Sequence, residues 1–376
     1  MQAIKKLKKL LVFWHLMLAL CLPAICLSAP QVIKIAILDN VSDPSLPPHY
    51  ASSYIEGLQV AIKSAKEQGY TIEYKTFFYG NTPLAILDEV PQVNAWHPDL
   101  IIGPHSSNQF LLLRKSFNNI LVITPYASDP EISNLPDNFY SLDLLDQDLA
   151  HIMVKFISGE FPNTNLVNVV NATCKDCVDI NSIITSEYGN AYPAAKIITN
   201  MYSDDTNYAP VAELIKGYQP GDIILPQPDT YVDMQQLMYR IANHLGNNPI
   251  FVTILDNLGD PSKIAKSTNY TEYWFTPYLF DDNSPNFQAF TSYYSSLFGC
   301  FPENTISYTI YLTIASVTQA LKQYPSPNKG EMRTTILSSY NKARAHDPHW
   351  YKNSNYAIYK IDSQETKLIG TISAFD

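Results

Sequence analysis

The strongest constraint in this chain is an alternation that runs almost end to end. Short β-rich apolar runs are separated by stretches with helical periodicity. Residues 32–38 form the first such run. In 54–68, Ile55, Leu58, Ala61, Ile62 and Ala65 recur three or four residues apart, and Gly69 supplies the C-terminal stop. Residues 71–78 alternate as a second strand. Residues 83–93 carry a helix interrupted near Pro91, and 100–103 read as a short buried strand. A helix over 108–117 and a strand over 120–124 follow. Parallel neighbouring strands need a crossover and a helix supplies it, so this β-α-β-α-β-α-β order predicts a doubly wound parallel sheet. The order then restarts. A helix is expected over 144–157, strands over 166–170, 196–201, 222–225 and 250–254, and helices over 180–187, 210–217 and 231–244. Helical segments return at 286–297, 307–323 and 331–340, and strand-like runs at 356–361 and 367–372 close the chain. The expected architecture is α/β, with two units of similar size.

The 13 glycines exclude several functions. A G-x-G-x-x-G dinucleotide loop needs two glycines two apart, and no pair is that close. A G-x-S-x-G nucleophile elbow needs a pair four apart. Gly217 and Gly221 have that spacing, but Gln219 stands where the serine belongs. No pair five apart precedes a lysine, so no phosphate-binding P-loop is present. The formal charge of −10 argues against nucleic acid, whose binders need Lys and Arg to displace phosphate counterions. An apolar fraction of 46% with 26 tyrosines argues against disorder and suits an aromatic-lined cleft.

Residues 1–29 read as a cleaved export signal. Lys5, Lys6, Lys8 and Lys9 precede an apolar run over 10–22, Pro23 ends it, and Ser28 and Ala29 are small cleavage candidates. The competing reading is an uncleaved anchor, for which the run is short. Cys21 and Cys26 lack the small preceding residue of a lipid-attachment site. The mature protein is expected to be exported to a bacterial periplasm, carrying Cys174, Cys177 and Cys300. Cys174 and Cys177 form a C-x-x-C, for which a structural disulfide, free thiols, a redox centre and half a zinc site are the alternatives. In an oxidising compartment the disulfide is preferred. Cys300 is expected to be buried. His346 and His349 form an H-x-x-H with too few companions for a metal site, and His49 reads as loop surface.

Several stretches together resemble the type I periplasmic solute-binding proteins, nearest the Leu/Ile/Val-binding type of ABC-transporter receptor. They are Ile-Lys-Ile-Ala-Ile-Leu at 33–38, Tyr-Ile-Glu-Gly-Leu-Gln-Val-Ala-Ile at 54–62 and Asp-Leu-Ile-Ile-Gly-Pro-His-Ser-Ser at 99–107. Leu-Val-Ile-Thr-Pro-Tyr-Ala-Ser-Asp-Pro-Glu at 121–131, Phe-Gly-Cys-Phe-Pro at 298–302, Tyr311 and Ala320-Leu321 complete the set. The resemblance implies two doubly wound lobes joined by three crossovers, the N-lobe over 31–143 plus 279–354 and the C-lobe over 144–278 plus 355–376. A small polar ligand, an amino acid or a short amide, would lie between them at the carboxyl ends of the strands.

On that resemblance, Ser106 and Ser107 offer hydroxyls and helix-start N–H groups to a ligand carboxylate; simple N-capping is the alternative. Tyr126 offers a backbone carbonyl to a ligand amine, and Ser128 a hydroxyl and an N–H; an ordinary Ser-Asp-Pro turn is the alternative. Tyr50, seven residues before Gly57, matches an aromatic that covers the ligand. On the C-lobe, Gln227 and Tyr231 follow one strand and Asp256 follows the next, where amino-acid-binding members place an acid. The family's Gly-Pro-Glu at that strand end is missing here. The expected protein is a monomeric binding protein, not an enzyme, with no cofactor, no metal and a membrane permease as partner. A sensor of the same fold is the alternative, and an exported hydrolase a third.

Overall fold

The computed structural model describes residues 31–40, 50–80, 82–203, 210–228, 231–254, 269–277, 285–302, 306–325, 331–346 and 356–372. The expected export signal lies outside the described residues.

The first half builds one sheet. Strand β1 (Gln31–Asp39) leads through α1 (Tyr50–Glu67) to β2 (Tyr70–Phe78), then through α2 (Ile86–Trp96) to β3 (Leu100–Ile102). Helix α3 (Ser107–Leu112) and a 3-10 turn lead to β4 (Leu121–Thr124), and β5 (Phe139–Ser141) completes the layer. The order is β2-β1-β3-β4-β5, every pair parallel. Along β1 the side chains alternate between faces, and both faces are buried. Ile33, Ile35 and Ile37 join one core cluster, Ala36 and Leu38 another. Helix α2 runs through Pro91 rather than being interrupted there, pinned by the buried Ile86 and Val93.

The chain then builds a second sheet. Helix α4 (Asp146–Glu160) precedes β6 (Leu166–Asn171), α5 (Lys175–Ala191), β7 (Ile197–Tyr202), α6 (Val211–Leu214), β8 (Ile223–Gln227), α7 (Tyr231–Leu245), β9 (Ile250–Ile254) and β10 (Thr271–Pro277). Three helices follow: α8 (Pro285–Phe298), α9 (Ile306–Gln323) and α10 (Met332–His346). They return to the first sheet, packing Phe290, Ile310, Ile314 and Ile336 against Ile33, Ile35 and Ile37. Helices α1 and α9 cross so closely that a Cβ at Gly57 would overlap the Ser307 carbonyl. Strands β11 (Tyr356–Ile361) and β12 (Thr366–Ile372) then add to the second sheet, whose order is β12-β11-β10-β9-β8-β6-β7. Its β6–β10 pairs are parallel, whereas β11 and β12 join antiparallel.

Two strands lack a clear sequence signal. Strand β5 is three residues long, and β10 carries Glu272 in an otherwise apolar stretch. Glu272 is 5% exposed and accepts a 2.6 Å hydrogen bond from Thr253 Oγ1 on β9. Burial pushes its carboxyl up to about 7, against the smaller opposing effect of that hydrogen bond. Cys300 is exposed rather than buried, because α8 stops at Gly299, which takes a positive φ of 72°, and the chain turns outward. Among the described residues no helix is long and apolar enough to cross a membrane.

Candidate functional site

At the carboxyl ends of the parallel strands, several described loops carry polar side chains that hydrogen-bond to the backbone. On the first sheet, Gly103 ends the β3 strand with φ 94°, and a Cβ there would overlap the Leu38 carbonyl of β1. Only glycine lets the β3 loop pass so close to β1. The next residues form a braced frame. Thr124 Oγ1 donates to the Pro104 carbonyl at 2.6 Å and accepts from the Ala127 N–H at 3.1 Å. Ser107 Oγ, almost fully buried, accepts from the N–H groups of Ser128 at 3.0 Å and Asp129 at 3.2 Å. Ser141 Oγ donates to the Ala127 carbonyl at 2.5 Å. The loops after β3 and β4 are thus fixed to each other.

Ser107 and Ser128 are therefore brought together, but the Ser128 N–H is already engaged by Ser107. Ser107 keeps its own O–H to donate. Ser106 sits at the N-cap of α3 without a side-chain capping bond and is partly exposed. Tyr126 lies in the same loop, packed against the first core. Tyr50 and Tyr231 are the first residues of α1 and α7, where only their backbone is described. Asp256, His49 and His349 lie outside the described residues, and among those residues no cluster of metal-binding side chains occurs.

Asp39 and Tyr54 were not legible as site residues. Asp39 closes β1, is 4% exposed, and burial raises its carboxyl to about 6. Tyr54 on α1 is buried, and desolvation first, then the Asp39 charge, pushes its hydroxyl well above the usual tyrosine range. Tyr79 donates to Gln109 Oε1 at 2.9 Å beneath the same strand ends. The only early hint of Asp39 is its place at the carboxyl end of the first strand, beside the point where strand order reverses.

On the second sheet, Asn171 at the end of β6 accepts from the Thr173 N–H and hydroxyl at 2.9 and 2.7 Å. Cys174 and Cys177 are disulfide-bonded, with Cα atoms 5.3 Å apart, as the preferred sequence reading expected. Cys174 is the N-cap of α5, so the bridge closes that helix's first turn. Cys177 Sγ lies 3.4 Å from the Pro228 carbonyl, so the bridge flanks the end of β8 and Gln227. Lys175, inside the bridged loop, reaches Asp129 of the first unit at 2.7 Å and Asp179 one turn along at 2.7 Å. Asp129 also caps its own turn, accepting the Glu131 N–H at 2.8 Å.

No family model matches the chain, and no curated protein matches its sequence. Solved structures match its fold. The branched-chain amino acid transporter substrate-binding protein LivJ of Streptococcus pneumoniae, in complex with isoleucine, is 15% identical. It matches with a TM-score of 0.67 over 91% of this chain and 99% of its own. The leucine-, isoleucine-, valine-, threonine- and alanine-binding protein of Brucella ovis, in a closed conformation, is 13% identical with a TM-score of 0.69, over 92% and 96%. The fold is that of the type I periplasmic binding proteins.

Within that fold, chemistry of the bound molecule varies. A solute-binding protein of R. palustris in complex with benzoate matches at 13% identity and a TM-score of 0.69, over 91% of this chain and 96% of its own. The type I binding-protein fold here carries a braced serine frame on one sheet, and a disulfide-closed helix start with a neutral amide on the other. The Ser107 hydroxyl oxygen braces the backbone by accepting the Ser128 and Asp129 N–H groups.

Proposed function

We propose that this chain is an exported solute-binding protein of an ABC-type uptake system, capturing a small polar ligand between two lobes without covalent chemistry. The lobes would be 31–143 plus 279–354 and 144–278 plus 355–376, with the chain working as a monomer in the periplasm. The observation that carries the reading is the contact between the loop after β4 of the first sheet and the start of α5, after β6 of the second, made by Asp129 and Lys175 at 2.7 Å. Ligands of open α/β sheets bind at the carboxyl ends of the strands. Ser106, Ser107, Tyr126 and Ser128, with Tyr50 as a cover, would serve from the N-lobe. Gln227, Tyr231 and Asp256 would serve from the C-lobe, with the Cys174–Cys177 bridge as a wall beside them. Closure would expel water, complete hydrogen bonds from both sides and present the closed form to a membrane permease. The neighbours in fold are binding proteins for amino acids and for benzoate, which supports a small ligand and a transport role.

The test is a thermal-shift screen of the mature chain against amino acids, amides and small organic acids. A tight ligand raises the melting temperature through its preference for the folded state. The reading expects a saturable rise for one chemical class with no product formed. Turnover of an amide or ester that is abolished in Ser107→Ala would overturn it.

A further inference from the structure

Helix α5 lies over one face of the second sheet, and between helix and sheet lie side-chain amide atoms that have no partner among the described residues. The buried residues of α5 are Cys177, Asn181, Ile184 and Tyr188, one stripe at helical spacing. Two contacts fix where the stripe lands. Asn168 Nδ2 on β6 donates to Thr185 Oγ1 at 3.3 Å, and Cys177 Sγ lies against the Pro228 carbonyl. Asn181 falls between these points. On β8, Ile223 and Leu225 pack into the same core cluster as Ile184 and Tyr188. Alternation puts the Gln227 side chain on that face too, level with Val170 of β6. Gln227 and Asn181 thus share the carboxyl edge of the sheet, next to the disulfide-closed loop from which Lys175 reaches the first unit.

Both amide atoms of Gln227, Oε1 and Nε2, are shut off from solvent and have no hydrogen-bond partner, and Asn181 Oδ1 is in the same state. Buried polar atoms are ordinarily paired, so each calls for a partner from outside the chain. Gln227 leaves one acceptor and the two N–H donors of Nε2 open, and Asn181 one acceptor. A primary carboxamide supplies two N–H donors and one carbonyl acceptor. A carboxylate supplies acceptors only, and would set its lone pairs against those of Gln227 Oε1 and Asn181 Oδ1.

We propose that Gln227 and Asn181 are specificity-determining residues of the cleft and select a ligand bearing a primary carboxamide over the matching carboxylate. This rests on the binding-protein reading above and names the chemical class of its ligand. An ordered water is the competing occupant, since it too donates twice and accepts.

The experiment is calorimetric titration of the mature chain with matched pairs, isobutyramide against isobutyrate and benzamide against benzoate, with leucine as a zwitterionic control. It is run on the wild type, Gln227→Leu and Asn181→Leu, with circular dichroism to confirm folding. The expected result is that amides bind about tenfold or more tightly than their acids, and that Gln227→Leu weakens amide binding by about tenfold or more, since a site built to pair polar groups rejects what leaves them unpaired. Equal binding of acids and amides overturns the inference, as does no amide binding, or any binding that survives Gln227→Leu within twofold. If leucine or an acid binds tightly and ignores both substitutions, the amide class falls while the binding-protein reading stands. If a variant fails to fold, Gln227→Glu replaces it. Its acceptor-only carboxyl is expected to lose the amide preference, and an unchanged preference counts against the inference.

Discussion

Lys175 Nζ lies 2.7 Å from Asp129 Oδ2, joining the start of α5 on the second sheet to the loop after β4 on the first. The two partners differ in environment. Asp129's side chain is 2% exposed and Lys175's is 52% exposed. Hydrogen bonds that the Lys175 ammonium donates to Asp129 and then Asp179 hold its pKa above the usual lysine range.

Removing either partner is therefore expected to have unequal effects. Lys175→Met leaves the buried Asp129 carboxylate to the Glu131 N–H, and should destabilise by about 1–3 kcal/mol. Asp129→Asn leaves Lys175 in water with Asp179, and should cost less than about 1 kcal/mol. Urea unfolding of both variants measures the difference. Equal losses would show that Asp129 is solvated rather than buried.

Ser107→Ala removes the acceptor for two backbone N–H groups at once. An unfolding loss of about 1–3 kcal/mol is expected, because both donors lose their acceptor in a largely buried frame. Ser106→Ala, at a cap position with no capping bond, should change stability by less than about 0.5 kcal/mol. Thermal or urea unfolding that ranks the two the other way would contradict the bracing role.

The alternation of strands and helices was legible from the first residues of β1 because both faces of a parallel sheet are buried and the strands read as apolar runs. Strand β10 was not, since Glu272 and Tyr273 break its apolar run and the hydrogen-bond partner of Glu272, Thr253 on β9, lies nineteen positions earlier. Ser107 and Ser128 were recognisable as candidates for one site. Their mutual hydrogen bond was not, because it depends on how the β3 and β4 loops cross. The Lys175–Asp129 pair spans 46 positions and two sheets, and no local pattern reports it.

Glu272 gives a pH signature. Its folded pKa of about 7 lies above the 4.5 of an unperturbed glutamate, so the folded state holds the proton more tightly than the unfolded one. That contribution to stability is complete below about pH 4.5, is lost as pH rises through 7, and amounts to about 3 kcal/mol at most. Glu272→Gln should flatten the fall between these pH values and leave the variant more stable than wild type at pH 8. Chemical denaturation across pH 4 to 8 checks this, and parallel curves for the two proteins would contradict it.

The disulfide makes a separate prediction about the thiols. Without reductant, Cys300 should react with an alkylating reagent while Cys174 and Cys177 do not. Closing so short a loop limits the unfolded chain little, so reduction should cost about 2 kcal/mol. Mass spectrometry after alkylation, then unfolding with and without reductant, reads both. Three alkylated thiols in unreduced mature protein would remove the bridge from the account.

The central claim is capture of a small polar ligand by closure of two lobes. Small-angle X-ray scattering of the mature chain, alone and saturated with whichever compound most raises its melting temperature, tests it most directly. The account predicts a smaller radius of gyration in the presence of that compound, reversed when it is dialysed away. A saturated protein whose scattering is unchanged would contradict it.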